Sequence, residues 1–228
     1  MNKNKFFWQN ADSIPLLVEL LRNNKILVTS TDTILGFLSN LTQDSFDKLN
    51  ELKKERSHKP YLILISSINK LTKFVDISDL SDGTLRLMKQ CWPGPLTIIF
   101  KSKNNLPSFL VSDNKTIAIR IPRHDGLKEL LKFFDGLFST SANRSGKIPP
   151  KKINDLDLQI LNEVSGVVLD KWNLNKKLNV DMPCPLDQTL PSSIIDLSNR
   201  KEVVIVREGA YSIKKMEEYY GSKFKKRG

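Results

Sequence analysis

Apolar and polar positions along the chain follow two periods, and the switches between them mark the elements. In "ADSIPLLVELLRNN", Leu16, Leu17, Leu20 and Leu21 recur at helical spacing, Pro15 suits a first turn, and Asp12 or Ser13 can cap it. "TQDSFDKLNELKKE" reads the same way, with Thr42 as cap and Phe46, Leu49 and Leu52 on one face. "LSDGTLRLMKQCW" is predicted to be helical with Leu85, Met88 and Trp92 on one side, and Pro93 and Pro95 stop it. Further helices are predicted in "DGLKELLKFF", around 155–163 and in "SIKKMEEYY". Between them lie short apolar or alternating runs that read as strands: "KILVTS", "ILGFLS", "YLILIS", "LTIIF", "TIAIRI", "GLFSTSA", "GVVLD", "SIIDL" and "VVIVRE". A polar, proline-bearing loop is expected at roughly 171–191. Strands alternating with helices predict an α/β fold, a mixed sheet covered by helices on both faces. No Gly/Ser linker and no repeat divides the chain, so 1–228 is expected to be a single domain.

Composition supports a folded chain. Of 228 residues, 39% are hydrophobic and 27% charged, enough for a sizeable core. No apolar run approaches the roughly 20 residues of a membrane span, and no apolar signal segment follows the basic start "MNKNKFFWQNADSIP", so a cytoplasmic protein is expected. Cys91 and Cys184 are too few and too far apart for a disulfide framework or a four-ligand zinc site. His58 and His124 lack ligand-like partners and read as exposed or loop residues, so no protein-held metal site is predicted. The net charge of +11 favours anionic partners such as nucleotides or RNA. Part of the excess sits in "GSKFKKRG" (221–228), which reads as a solvated basic tail.

Four polar stretches adjoin strands. They are Ser30 to Thr33 in "LVTSTDTILGF", the cations of "LKKERSHKP", Arg120 in "TIAIRIPRH", and the turn "STSANRSG". Each singly is an ordinary turn, a solvated helix end or a half-exposed strand. Together they offer hydroxyl and amide donors beside clustered cations, the groups that a nucleoside triphosphate needs where loops leave strand ends. The usual phosphate loops, a G-x-S-x-G elbow and a convincing Ser-His-Asp set are absent.

Seven segments, in order, resemble those of the YrdC/TsaC family of threonylcarbamoyl-AMP synthases. "TDTILGF" is similar to P-T-[ED]-T-x-x-G-[L], and "LKKERSHKPYLILI" to K-x-R-x-x-x-[KN]-P followed by a strand. "CWPGPLTIIF" resembles W-P-G-P-[LV]-T, "TIAIRIP" resembles T-[IV]-A-[IV]-R-[IVM]-P, and "STSANRSG" resembles S-x-S-A-N-x-S-G. "PSSIIDL" and "VIVREGA" resemble the late S-T-I-I-D and [IL]-x-R-x-G pieces. The likeness runs over about 12–210. This chain departs from the pattern at Ser30, where proline is usual, at Leu38, where a second glycine is usual, and at Glu55, which takes the usual arginine place with Arg56 beside it.

The resemblance implies a three-layer α/β fold with a twisted mixed sheet and a large basic cavity, in a single-domain member without the extra C-terminal domain of longer relatives. It implies condensation of L-threonine, bicarbonate and ATP to threonylcarbamoyl-AMP and pyrophosphate, with Mg²⁺. Separate tRNA-threonylcarbamoyl transferase proteins then use the intermediate on an adenosine beside the anticodon. Carried over by position, Lys53, Arg56 and Lys59 face the ATP phosphates. Thr116, Ser139, Ser141, Asn143 and Arg207 bind nucleotide, and Thr31, Arg120 and Ser192 bind threonine. Lys53, Arg56 and Arg120 are the expected catalytic cations, and Asp32 and Thr33 pin their turn. Two other readings stand beside this one: a carbamoyl-adenylate-forming relative, and a non-catalytic basic RNA-binding protein. Weak RNA binding by the enzyme itself is also compatible with the charge.

Overall fold

A computed structural model describes residues 4–54, 60–170, 190–199 and 202–227. Glu55, Arg56, His58, Lys59, Cys184 and nearly all of the expected 171–191 loop lie outside these residues. The strands are β1 (Lys5–Phe7), β2 (Leu27–Thr29), β3 (Gly36–Asn40), β4 (Leu62–Leu64), β5 (Leu96–Lys101), β6 (Thr116–Arg120), β7 (Leu137–Ser141), β8 (Gly166–Leu169), β9 (Ser193–Asp196), β10 (Val204–Arg207) and β11 (Lys225–Lys226). They form one mixed sheet in the order β1-β8-β2-β3-β7-β4-β6-β5-β9-β10-β11. Helices α1 (Ser13–Arg22), α2 (Gln43–Lys53), α3 (Ile68–Leu71), α4 (Asp82–Cys91), α5 (Asp125–Leu131), α6 (Leu158–Glu163) and α7 (Ile213–Tyr220) complete the fold. Among the described residues no helix is long and apolar enough to cross a membrane.

Strand alternation decides where the site sits. In β6 the odd positions Ile117 and Ile119 enter the larger core, with Ile63, Ile98, Phe138 and Ile195 from neighbouring strands. That face is covered by α2 through Phe46, Leu49 and Leu52, by α4 through Leu87, Met88 and Cys91, and by α7 through Met216. Burying each such side chain contributes about 1.5–3 kcal/mol. The opposite face is covered differently. Leu17, Val18 and Leu21 of α1 and Leu127, Leu130 and Leu131 of α5 form a second, smaller cluster with Trp8, Leu27, Leu38, Leu64, Phe134, Leu137 and Val168. Ala118 and Arg120, on the other face of β6, and Thr97, which alternates with the core residues Leu96 and Ile98 of β5, line a cleft.

Several local expectations need correction. Leu16 (48% exposed) and Leu85 (40% exposed) face outward, because the buried stripes are Leu17-Val18-Leu21 and Thr84-Leu87-Met88-Cys91. Thr42 does cap α2, accepting from Ser45 N at 3.2 Å, whereas Asp12 makes no side-chain cap on α1. The basic run after Tyr220 is not simply solvated. Gly221 ends α7 in a left-handed conformation, Phe224 is buried, and Lys225 and Lys226 pair in parallel with Val204 and Ile205. Phe224, the strand pairing and ion pairs of Lys225 with Glu202 and of Lys226 with Glu208 hold this segment at the sheet edge, with both lysine side chains exposed. His124, read as an exposed or loop residue, is nearly covered: Nδ1 accepts from Leu127 N at 3.2 Å as the α5 cap, and Nε2 meets Asp170 Oδ2 at 3.0 Å.

Candidate active site

The cleft has a volume of about 290 Å³ and gathers Thr31, Arg120, Ser139, Ser141, Ser192 and Arg207 in its lining. Six of the expected residues, from five separate parts of the chain, therefore meet. The turn between β2 and β3 folds back over the cleft face of the sheet, where the Ala142 amide bonds to the Leu35 carbonyl at 3.0 Å. A Cβ at Gly36 would stand 3.1 Å from the Thr140 carbonyl, so glycine permits this close passage. Thr31 Oγ1 donates to the Ile34 carbonyl at 2.8 Å and accepts from Thr33 N at 3.0 Å, which explains why the turn is dense in hydroxyls.

Arg120 is buried in the cleft wall, and its guanidinium is already engaged. Nε donates to the Gly94 carbonyl at 3.1 Å, Nη1 to Thr33 Oγ1 at 3.1 Å, and Nη2 to the Asp32 carboxylate. The other Asp32 oxygen accepts from Arg123 N at 2.8 Å. The chain itself thus supplies one carboxylate to this guanidinium. Asp32 and Thr33 do pin the turn, but through Arg120, a partner 88 positions away.

Arg207 is placed differently. Its Nε and Nη2 donate to the Ser192 carbonyl at 3.0 and 2.8 Å, and Nη2 also reaches Ser192 Oγ at 3.2 Å. Ser192 Oγ shares a 2.8 Å hydrogen bond with Thr97 Oγ1. Among the described residues no carboxylate pairs with Arg207. Burial, reinforced by the nearby charge of Arg120, holds its pKa below the usual arginine range. A Cβ at Gly209 would lie 2.3 Å from the Pro191 carbonyl, so only glycine lets the turn after β10 close on Ser192.

Lys53 does not line the cleft. Its ammonium is buried and donates to the carbonyls of Ser141 at 3.0 Å and Asn143 at 2.8 Å. Ser145 N returns a bond to the Lys53 carbonyl at 2.8 Å, and Arg144 Nη1 donates to the Leu52 carbonyl. The end of α2 is therefore a strut for the 141–145 turn, a role that the cation's presence in a basic run does not reveal. Asn143 lies in that turn just beyond the lining. Its Nδ2 donates to the carbonyls of Arg144 at 2.9 Å and Lys147 at 2.6 Å, and its Oδ1 is buried without a partner among the described residues. Thr116 shares the cleft face of β6 with Ala118 and Arg120 but sits at the far end of the strand, bonded to Ser112 Oγ at 2.7 Å. Arg56 and Lys59 lie outside the described residues.

Ser30, where the resembled family has proline, belongs to a separate network beside the cleft. Its hydroxyl donates to Asp170 Oδ2 at 2.8 Å and accepts from Trp8 Nε1 at 3.1 Å. Burial alone would raise the Asp170 pKa. Hydrogen bonds and charge from His124, with bonds from Ser30 and Gln9, outweigh it and hold the carboxyl below its usual value. No group of three or more metal-ligating side chains occurs among the described residues, and no carboxylate is among the described residues that line the cleft.

A mixed sheet flanked by helices, with hydroxyls and guanidinia gathered in one cleft, defines the class: an α/β protein. The chain belongs to the Sua5/YciO/YrdC family, whose model, described as telomere recombination, matches residues 19–209. It is similar to a putative threonylcarbamoyl-AMP synthase of Methanocaldococcus jannaschii, 30% identical over 93% of this chain and 95% of that protein. It is also similar to the threonylcarbamoyl-AMP synthase of Wigglesworthia glossinidia brevipalpis, 28% identical over 68% of this chain and 79% of that protein. The fold matches that of P. abyssi Sua5 complexed with L-threonine, with a TM-score of 0.83 and 20% identity. All of this chain is covered, but it spans only 63% of that Sua5 chain.

Proposed function

We propose that the protein is a threonylcarbamoyl-AMP synthase, joining L-threonine, bicarbonate and ATP to give threonylcarbamoyl-AMP and pyrophosphate. The observation that carries this reading is the convergence of Thr31, Arg120, Ser139, Ser141, Ser192 and Arg207 on one cleft in a chain of this family. In the reaction the threonine amine takes up bicarbonate with loss of water. A carbamate oxygen then attacks the α-phosphorus, and pyrophosphate leaves, so this is nucleotidyl transfer. Charge collects on phosphate oxygens, so oriented donors and cations carry the chemistry. Arg207, with no carboxylate partner among the described residues, takes the phosphate part. Arg120 and Thr31 take the amino acid, and Ser139 and Ser141 supply hydroxyls to the nucleotide. Lys53 acts by holding the turn rather than by touching phosphate. The ion enters as part of the substrate MgATP.

In this reading 1–228 acts as one catalytic domain in a cytoplasmic setting. Its product passes to separate tRNA-threonylcarbamoyl transferase proteins. The purified protein with MgATP should release pyrophosphate only when both threonine and bicarbonate are supplied. Release that ignores threonine, or none at all, contradicts the reading.

A further inference from the structure

The buried carboxylate of Asp32 sits behind the cleft rather than in it. Its side chain has no exposed surface, and its two oxygens are used by Arg120 Nη2 and Arg123 N. Arg120 and Thr33 line the cleft in front of it, and Arg207 lies in the same lining. Among the described residues only Arg120 of the two arginines has a carboxylate partner.

This asymmetry has a chemical consequence. Two uncompensated guanidinia in one small cleft would attract a polyphosphate far more strongly than one does. The attraction would act on the product pyrophosphate as well as on ATP. Binding that is equally strong for substrate and product does not accelerate the reaction and slows release.

We propose that Asp32 is a positioning and charge-setting residue. It fixes the plane of Arg120 towards the cleft while cancelling its charge. Arg120 then directs hydrogen bonds to the amino acid, and Arg207 alone supplies the net attraction for phosphate. This inference rests on the synthase reading above.

The test is calorimetric binding of pyrophosphate, and separately of threonine, to the full chain. Asp32→Asn keeps an acceptor oxygen for one of the two contacts and removes the charge. It should bind pyrophosphate on the order of tenfold more tightly than the wild type, with a steeper dependence on salt. The double variant Asp32→Asn/Arg120→Met removes both charges and keeps the cleft's net charge. It should bind pyrophosphate within about threefold of the wild type and lose measurable threonine binding. This second variant keeps the test decisive where the single one fails to fold. Equal pyrophosphate affinity in the wild type and Asp32→Asn overturns the proposal alone, as does a large loss of pyrophosphate affinity in the double variant. No pyrophosphate binding by any of the proteins overturns the proposal together with the synthase reading.

Discussion

The Lys53 ammonium donates to the Asn143 carbonyl at 2.8 Å, tying the end of α2 to a turn 90 positions further along the chain. Lys53→Met should therefore act as a loosened strut. Two buried carbonyls lose a charged donor, at a cost of about 2 kcal/mol or more. ATP binding should weaken as the 141–145 turn shifts. Thermal melts with and without ATP check this. Unchanged melting together with weakened ATP binding would instead make Lys53 a direct ligand.

Arg207 should behave in the opposite way. Among the described residues its side-chain hydrogen bonds go only to Ser192, so Arg207→Ala should cost only about 1 kcal/mol of stability, with the larger loss in ATP binding. A charge-assisted contact to phosphate is worth about 1.5–3 kcal/mol, so the ATP dissociation constant should rise about 10- to 100-fold. Equilibrium nucleotide binding measures this, and an unaltered constant would remove Arg207 from the site.

Arg120→Ala should damage the fold as well as the activity. The variant leaves Asp32 buried without its cation, which costs about 3–5 kcal/mol. Asp32→Asn/Arg120→Met, with neither charge, should lose much less stability. Chemical denaturation of the two variants checks the difference, and equal losses would argue against a coupled pair.

The Asp170 carboxyl has a folded pKa below its unfolded value of 3.8. A depressed carboxyl contributes stability that is present above the unfolded pKa and is lost as pH falls through the folded one. Melting temperature should therefore drop as pH falls below about 4, and Asp170→Asn should flatten that part of the profile while lowering stability at neutral pH. A profile unchanged by the substitution would show that the network around Ser30 and His124 contributes little.

Much of the fold was legible because strand alternation and helix stripes are local signals. β6 is the clearest case, since its two core isoleucines separate Thr116, Ala118 and Arg120 onto the other face. Leu16 and Leu85 misled because an apolar residue at the rim of a stripe has the same spacing as one at its centre. β1 and β11 are two or three residues long and exist only through pairing with β8 and β10, so no local pattern marks them. The site residues were legible as chemistry but not as partnerships. Nothing near Arg120 in the chain says that Asp32 pairs with it, and nothing near Lys53 says that its ammonium bonds to the carbonyls of Ser141 and Asn143. His124 reads as a lone loop histidine until the end of β8 brings Asp170 beside it.

The most direct measurement of the central claim is mass spectrometry of the reaction with ¹³C-labelled bicarbonate, threonine and MgATP. The expected result is an adenylate carrying threonine and one labelled carbon, formed by the wild type and strongly reduced in Arg207→Ala. An unlabelled adenylate, or a labelled one formed at the same rate when Arg207 is removed, would contradict a cleft in which this guanidinium holds the reacting phosphates.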